Sequence, residues 1–472
     1  MKEKSAGIGK GELVALIVSS SIGAGIFGIN SDLASASAPG PALLAWLLVG
    51  IGILALVLSL NNLAKKRPEL DAGIFSYAEA SFGKLGGFIS GWGYWLSAWL
   101  GNIAFATMLM SSIGTFIPTF KGGQNIPSII GAAVFVWLLT MLVNNGIESA
   151  SLLNMIVTFC KLVPLFVFIV ICIVSFKAGV FTSDFWGNVT NNVLHEGKTL
   201  NTFSQVKGCV MVMMWVFVGI EGASILANRA KNRSDAQTAT VLGLIALLII
   251  YVFASILPYG VMTQEQLAQS SQPAMAEVLR HIVGTWGATL ISIGLIISIL
   301  GAWLSWTMLP AETTILMAKH GTLPRLWGKL NVKKAPTASL VITGIMQSLF
   351  LLTFLVTDYA YNFAYTLCTA AILICYLLVG IYQMEYSYQN REWGEFLIGV
   401  IAATFQLLAM VLAGWQQVLV VVILYIPGFY FYWAAAKERD RQVTNMEKIV
   451  MTVISLLGIL AIYLLITGKI SL

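Results

Sequence analysis

The sequence predicts an all-α protein that crosses a membrane many times, and three observations lead to this fold class. Apolar residues make up 58% of the 472 residues and charged residues only 10%, whereas soluble domains carry about 45–50% apolar and about 25% charged residues. The apolar residues come in stretches of about 20, the length that a helix needs to cross the hydrocarbon core. Two stretches also carry glycine clusters at their centres. Together these features exclude a soluble enzyme, a fibrous chain and a disulfide-stabilised secreted scaffold.

Twelve apolar stretches are expected to cross the membrane as helices, and a thirteenth is long enough to do the same. The twelve lie at 12–37, 41–64, 85–115, 126–145, 152–176, 206–228, 238–262, 284–317, 337–357, 360–384, 395–414 and 416–435, and the thirteenth at 449–467. The first stretch lacks a signal-peptide cleavage site, so it is expected to remain as an anchor.

Glycine clusters interrupt the first and the sixth stretch. Residues 23–28 read GAGIFG, and residues 215–222 read WVFVGIEG. A glycine in a helix interior costs ~1 kcal/mol relative to alanine, and unwound backbone inside a membrane is tolerated only where it lines a cavity or is buried in protein. Interruptions at matching positions of two halves indicate a transporter binding site. Close packing of small residues is the alternative, but packing alone does not explain Glu221 beside the second cluster.

The two interrupted stretches are five apart, which is the spacing of two five-helix repeats with opposite topology. We therefore expect helices 1–5 within residues 1–205, helices 6–10 within 206–394, and helices 11 and 12 with the additional helix within 395–472. Residues 23–28 also fit the dinucleotide-binding pattern G-x-G-x-x-G, but that pattern needs a preceding strand. We interpret them instead as backbone N–H groups at a helix start that bind an anion, which in a transporter would be a carboxylate.

The chain has a formal charge of +6, from 27 Lys and Arg against 21 Asp and Glu. Most of the basic residues fall in short loops on the side of the N-terminus, and Lys and Arg favour the cytoplasmic side of a membrane. We therefore expect a cytoplasmic N-terminus and no binding of nucleic acid. The short loops favour a bacterial plasma membrane as the location. The inner segment 318–336 alternates apolar and basic residues, which fits either a segment lying on the membrane surface or a plain basic loop.

Two ionisable residues stand out inside the apolar stretches, Glu221 and Lys161, and such residues are usually functional. Lys161 lies roughly 13 Å from the cytoplasmic end of its stretch at 1.5 Å per residue, so an interior role is favoured over snorkelling. An interior ammonium could replace a bound Na⁺ or exchange a proton. The five cysteines form no CxxC pair and the three histidines are scattered, so neither a metal site nor another cofactor is expected.

Four segments together carry a family resemblance: 23–27 (GAGIF), 94–102 (YWLSAWLGN), 215–221 (WVFVGIE) and 301–303 (GAW). Over roughly residues 8–435 the chain resembles the amino acid–polyamine–organocation transporters. It is most similar to their basic amino acid antiporters, which include arginine/agmatine and arginine/ornithine exchangers. The resemblance implies a secondary transporter, not an enzyme, that exchanges basic amino acids by alternating access, with arginine entering and ornithine leaving.

The resemblance also implies roles for single residues. The backbone from Ser21 to Gly25 would bind the substrate carboxylate, and carbonyls between Trp215 and Gly219 would bind its α-amino group. Trp215 would cover the substrate side chain, and Asn102 would lie near its cationic end. The full set of implied substrate contacts is Ser20, Ser21, Ile22, Gly23, Ala24, Gly25, Ser97, Ala98, Asn102, Trp215, Val218, Gly219 and Trp303. The implied inner gate consists of Tyr94, Glu221, Trp303 and Tyr376.

Some positions depart from the arginine/agmatine type. Ala24 stands where those exchangers commonly have serine, so a carboxylate contact would fall to Ser20 or Ser21. Lys161 resembles the lysine of proton-coupled or sodium-independent relatives, which leaves a proton-coupled symporter or uniporter for lysine, histidine or another amino acid as the alternative, beside an amino acid/amine exchanger. The residues after 440 resemble an extension of some arginine/ornithine exchangers. Expected partners are amino acids and the lipid bilayer, and a homodimer is left open.

Overall fold

The structure, a computed structural model, describes residues 10–70, 73–146, 151–188, 200–221, 233–355 and 360–470. Every regular element in these residues is helical. The α-helices are α1 (Lys10–Ser21), α2 (Gly25–Ala36), α3 (Pro39–Lys66), α4 (Ile74–Gly114), α5 (Ile126–Asn144), α6 (Ser151–Ser175), α7 (Ala178–Thr182), α8 (Thr202–Val216), α9 (Arg233–Ile256), α10 (Gln264–Ala268), α11 (Ala274–Val283), α12 (Thr285–His320), α13 (Thr337–Leu351), α14 (Ala360–Gln389), α15 (Trp393–Leu408), α16 (Trp415–Ile423), α17 (Tyr425–Lys437) and α18 (Asn445–Ile466).

Among the described residues, nine helices are long and apolar enough to cross a membrane, and the bent pair α16–α17 would make a tenth. This confirms the predicted all-helical, multi-pass membrane protein. The helices α1, α2 and α8 are shorter because the first and sixth stretches are interrupted. The numbers twelve and thirteen therefore stay predictions.

Two helical segments meet at Gly83 within α4, and the second begins one residue before the predicted start of the third stretch at residue 85. The first segment, which starts at Ile74, was not part of the predicted stretch. It is helical, although charged side chains such as Glu79 lower its hydropathy. Gly83 bends the helix with a φ of 68°, a value that glycine adopts without steric conflict.

Both predicted interruptions are present in the backbone. The first helix stops at Ser21 and α2 starts at Gly25, so three residues separate the two helical segments. In the sixth stretch, α8 stops at Val216, and the chain turns through Gly219 with a φ of 102°. The structure describes this second interruption as far as Glu221.

The first of two compact units consists of three stretches of the chain, Met1–Lys66, Ser111–Gly122 and Ser151–Ala302. In this unit α9 packs against α1 and α3, and α8 packs against α2 and α3. Asn30 of α2 donates from Nδ2 to the carbonyl of Ala254 at 2.9 Å, and Trp46 of α3 donates from Nε1 to the hydroxyl of Ser255 at 2.9 Å. These buried bonds hold α2 and α3 against α9.

The second compact unit consists of Arg67–Met110, Gly123–Ala150 and Trp303–Leu472. In this unit α5 packs on α13, α14 packs on α15, and α18 packs on α16 and α17. Trp95 of α4 is buried and donates from Nε1 to the hydroxyl of Thr343 at 3.0 Å. A capping box between Thr444 and Glu447 starts α18. The inverted repeats concern the symmetry of the chain, not these units, and they stay a prediction.

Candidate functional site

The first interruption leaves the start of α2 buried and without a side-chain cap. Ala24 occupies the N-cap position, makes no side-chain cap bond, and precedes Gly25, Ile26 and Phe27, which are buried. The first N–H groups of a helix have no partner within the helix, and the helix dipole adds partial positive charge at this end. A buried, uncapped helix start is therefore suited to an anion such as a carboxylate.

Ser21, the last residue of α1, adds a hydroxyl to this interruption. Its Oγ is buried and forms no hydrogen bond with any residue that the structure describes. An unpaired buried hydroxyl is unfavourable in free energy, so a ligand oxygen near Oγ would improve the site. Ile22 is buried and Gly23 partly exposed. Ser20 lies in the last turn of α1, but its side chain lies outside the described part of the structure.

An indole ring next to the second interruption lies against the first interruption. Trp215, in the last turn of α8, is buried. A Cβ atom built on Gly25 would lie 2.6 Å from its Nε1, a distance that real Cβ atoms do not adopt. Residue 25 must therefore be glycine for the ring to lie over the start of α2. Val218 and Gly219 follow in the turn after α8, and both are partly exposed.

Tyr251 of α9 connects the two interruptions, and its role could not be foreseen from the sequence. Its hydroxyl oxygen lies 3.0 Å from the carbonyl oxygen of Ser21 and 3.0 Å from that of Val216. These two residues end α1 and α8, and the last carbonyls of a helix have no partner within it. The Tyr251 hydroxyl donates to both, so it caps two helix ends at once. The only signal in the sequence was a hydroxyl-bearing aromatic residue in mid-span.

The two mid-membrane ionisable residues are both buried. Glu221 is 5% exposed and follows Gly219 by two residues. Lys161 is 9% exposed on α6, and no residue in the described part of the chain forms a hydrogen bond or an ion pair with its ammonium. Pro164 lies one turn further along α6 and has no N–H, so the carbonyl of Cys160 lacks its helical donor.

On α4, Asn102 occupies a position created by a proline. Pro310, inside α12, cannot donate to the carbonyl four residues earlier, that of Trp306. The Nδ2 of Asn102 donates to this carbonyl instead, at 3.1 Å. Its Oδ1 is buried and accepts no hydrogen bond from any described residue. The side chain therefore keeps one buried acceptor for a cationic group.

The other implied residues of the second unit are also buried or partly buried. Ser97 is fully buried and its hydroxyl lies 3.2 Å from the thiol of Cys368, and Ala98 beside it is fully buried as well. The ring of Tyr94 lies 6.4 Å from that of Trp306. Trp303 and Tyr376 are fully buried on α12 and α14. Their gating roles stay predictions.

A sequence model of the amino acid permease family matches residues 11–434, which span both interruptions and all the residues above. The chain belongs to the amino acid permease family. This places the uncapped start of α2 and the end of α8 in a family of amino acid transporters. The resemblance found in the sequence is thereby confirmed.

Individual members of the permease family are also similar over nearly the whole length. The chain is 55% identical over 469 residues to the arginine/ornithine antiporter of Latilactobacillus sakei, with 98% of each chain covered. It is 38% identical over 486 residues to the arginine/ornithine antiporter of Pseudomonas aeruginosa, with 100% of each chain covered. It is 37% identical over 472 residues to the arginine/agmatine antiporter of Chlamydia caviae, with 98% of this chain and 97% of that one covered.

Proposed function

We propose that this permease is an antiporter for basic amino acids, with arginine and ornithine as the exchanged pair, and that it works by alternating access. The observation that carries the proposal is the meeting of two helix ends in one unit, the start of α2 and the end of α8, under Trp215 and Tyr251. An α-amino acid has a carboxylate that matches the N–H groups at a helix start and an ammonium that matches the carbonyl groups at a helix end. The names of the similar antiporters support the choice of substrates.

Each part of the substrate then has a partner. The carboxylate binds the N–H groups of Gly23 to Gly25 and the hydroxyl of Ser21. The α-amino group donates to carbonyls between Trp215 and Gly219. The cationic side chain lies against the Trp215 indole, where a cation–π contact contributes up to about 2 kcal/mol when desolvated. We also assign Asn102 to the cationic end of the substrate, as the family resemblance implies. Because arginine and ornithine both have a net charge of +1, their exchange moves no net charge.

We assign gating to Tyr94, Glu221, Trp303 and Tyr376, and the role of a fixed cation in place of a bound sodium ion to Lys161. Ala24 carries no hydroxyl, so the carboxylate depends on Ser21 and on the backbone. Agmatine lacks a carboxylate, and we therefore expect it to be a poor substrate.

The proposed topology has the N-terminus in the cytoplasm of a bacterium and twelve or thirteen spans in its plasma membrane. Two inverted repeats occupy 1–205 and 206–394, followed by the last helices in 395–472. The support is the position of the interruptions in the first and sixth stretches and the concentration of Lys and Arg on one side.

Uptake of labelled arginine into liposomes that contain the purified protein tests the proposal. We expect uptake only when ornithine is inside, little uptake against internal agmatine, and no response to an imposed proton gradient. Uptake into empty liposomes driven by a proton gradient would replace the antiporter with a proton-coupled symporter or uniporter. Equal exchange with ornithine and agmatine would contradict the importance of the carboxylate site.

A further inference from the structure

The segment 325–334, between α12 and α13, exposes apolar side chains among cations. Leu326 is 57% exposed, Leu330 46% and Val332 97%. They alternate with four basic residues, which are Arg325, Lys329, Lys333 and Lys334. A folded protein usually turns such apolar side chains inward, so this arrangement needs an explanation.

The outward direction of these side chains is fixed by the fold. Asn331 donates from Nδ2 to the carbonyl of Asn144 at 2.9 Å, and its Oδ1 accepts from the N–H groups of Lys333 at 2.8 Å and Ala335 at 3.0 Å. Trp327 of the same segment is buried, and its ring lies 5.2 Å from that of Phe431. The segment is thus anchored at two points and cannot turn its leucines inward without losing both.

The segment lies beside the last residue of one lipid-facing helix and the first residue of another. Asn144, its hydrogen-bond partner, is the last residue of α5, and α13 starts at Thr337. Both helices have a row of large exposed apolar side chains at helical spacing. The row of α5 is Ile126, Ile130, Val134, Leu138 and Met141, and that of α13 is Val341, Ile345 and Leu349. Because these rows face the hydrocarbon, the segment lies at the level of the lipid headgroups.

None of the charged groups of these four basic residues forms an ion pair with a residue that the structure describes. The carboxylate of Glu438 accepts a hydrogen bond from the backbone N–H of Arg325 at 2.8 Å, but its ion pair, at 3.8 Å, is with Arg439. Cations beside outward apolar side chains match a membrane surface with negative headgroups.

We propose that segment 325–334 binds anionic phospholipids, with its cations on the headgroup phosphates and Leu326, Leu330 and Val332 at the boundary of the acyl chains. The site lies outside the substrate residues and does not depend on which amino acids are exchanged. It gives the permease a contact through which the lipid composition of the leaflet can act on the connection between α12 and α13.

A fluorescent probe at residue 332 tests this proposal in the full-length protein. A Val332→Cys variant in which the partly exposed Cys160 is changed to alanine, so that the remaining native cysteines are buried, is labelled with a thiol-reactive bimane. It is reconstituted in vesicles of phosphatidylcholine and phosphatidylglycerol. A spin label that quenches the probe is carried by a trace of one lipid or of the other. We expect stronger quenching by labelled phosphatidylglycerol. Changing Lys329, Lys333 and Lys334 together to glutamine should reduce this preference, by up to about fivefold for each lysine.

The matched control changes three exposed lysines outside the segment, Lys121, Lys177 and Lys207, to glutamine, which alters the net charge equally and should keep the preference. Equal quenching by both lipids, or quenching only by aqueous iodide, would overturn the proposal. Leu330→Cys serves as the probe site if Val332→Cys does not fold. A membrane-impermeant thiol reagent on sealed vesicles reports the side of the membrane separately, so a wrong orientation is distinguished from an absent lipid site.

Discussion

The indole of Trp215 lies so close to Gly25 that a Cβ atom on residue 25 would stand 2.6 Å from its Nε1. The contact joins the end of α8 to the start of α2, two positions that are far apart in the chain. The indole ring can take this position only because residue 25 has no side chain.

Gly25→Ala is expected to reduce arginine/ornithine exchange by at least about tenfold, equivalent to about 1.4 kcal/mol, because the new methyl group displaces Trp215. Exchange in proteoliposomes and Trp fluorescence measure the two effects. Gly11→Ala on α1 is the control, since a Cβ there meets no atom within 4 Å. Equal rates in both variants would show that the ring position is unimportant for transport.

Tyr251→Phe removes the hydroxyl that caps α1 and α8. A buried hydrogen bond contributes about 1 kcal/mol net, so we expect exchange to fall by about tenfold with a modest loss of thermal stability. Tyr259→Phe is matched to it, because the Tyr259 hydroxyl donates to a single carbonyl, that of Ser37 at 2.8 Å, away from the interruptions. The prediction fails if both variants lose the same fraction of activity.

Glu221→Gln keeps the shape of the side chain and removes its charge. Since Glu221 is buried beside the second interruption, we expect exchange to be abolished while the protein still elutes as a single species in detergent. The comparison is Glu265→Gln, in the first turn of α10, which should exchange normally. Normal exchange by Glu221→Gln would remove this residue from the site.

Lys161→Ala removes the only charge that we assign to the place of a sodium ion. We expect exchange to collapse, or the pH profile of exchange to change, because the proposed fixed cation is lost. Lys177→Ala, an exposed lysine shortly after α6, should leave both unchanged. An unaltered pH profile in Lys161→Ala would indicate that the lysine side chain only snorkels to the membrane surface.

Asn102→Leu should raise the KM for arginine by about tenfold, as expected for the loss of one hydrogen bond to a charged group. The variant also leaves the Trp306 carbonyl without a donor. A second change, Pro310→Ala, returns an N–H to α12 and should restore thermal stability to Asn102→Leu. If the double variant also regains the original KM, Asn102 has only a structural role.

The sequence was informative about the interruptions because their signal is local. The glycines at 23, 25 and 28 and at 219 and 222 lie within a few residues of each other, and the described backbone breaks between Ser21 and Gly25 and turns at Gly219. The apolar stretches likewise predicted most of the helices. The helical segment from Ile74 to Gly83 was not predicted, because charged side chains such as Glu79 hide it from a hydropathy argument.

The contacts that assemble the site were not foreseeable in the same way. Tyr251 reaches a carbonyl 230 positions earlier in the chain, and the Pro310–Trp306–Asn102 relationship joins α4 to α12. Neither the position of a hydroxyl in mid-span nor a proline in a long helix reveals which partner it serves. That information lies in the packing of distant helices.

One phenol proton is shared between two carbonyl oxygens, those of Ser21 and Val216. When a substrate ammonium binds one of these oxygens, the hydroxyl can swing fully to the other. The ammonium then replaces the hydroxyl as the donor to one carbonyl oxygen, so neither oxygen is left without a hydrogen bond. When the substrate leaves, the hydroxyl again donates to both. The same tyrosine can thus keep both helix ends satisfied in the loaded and the empty carrier.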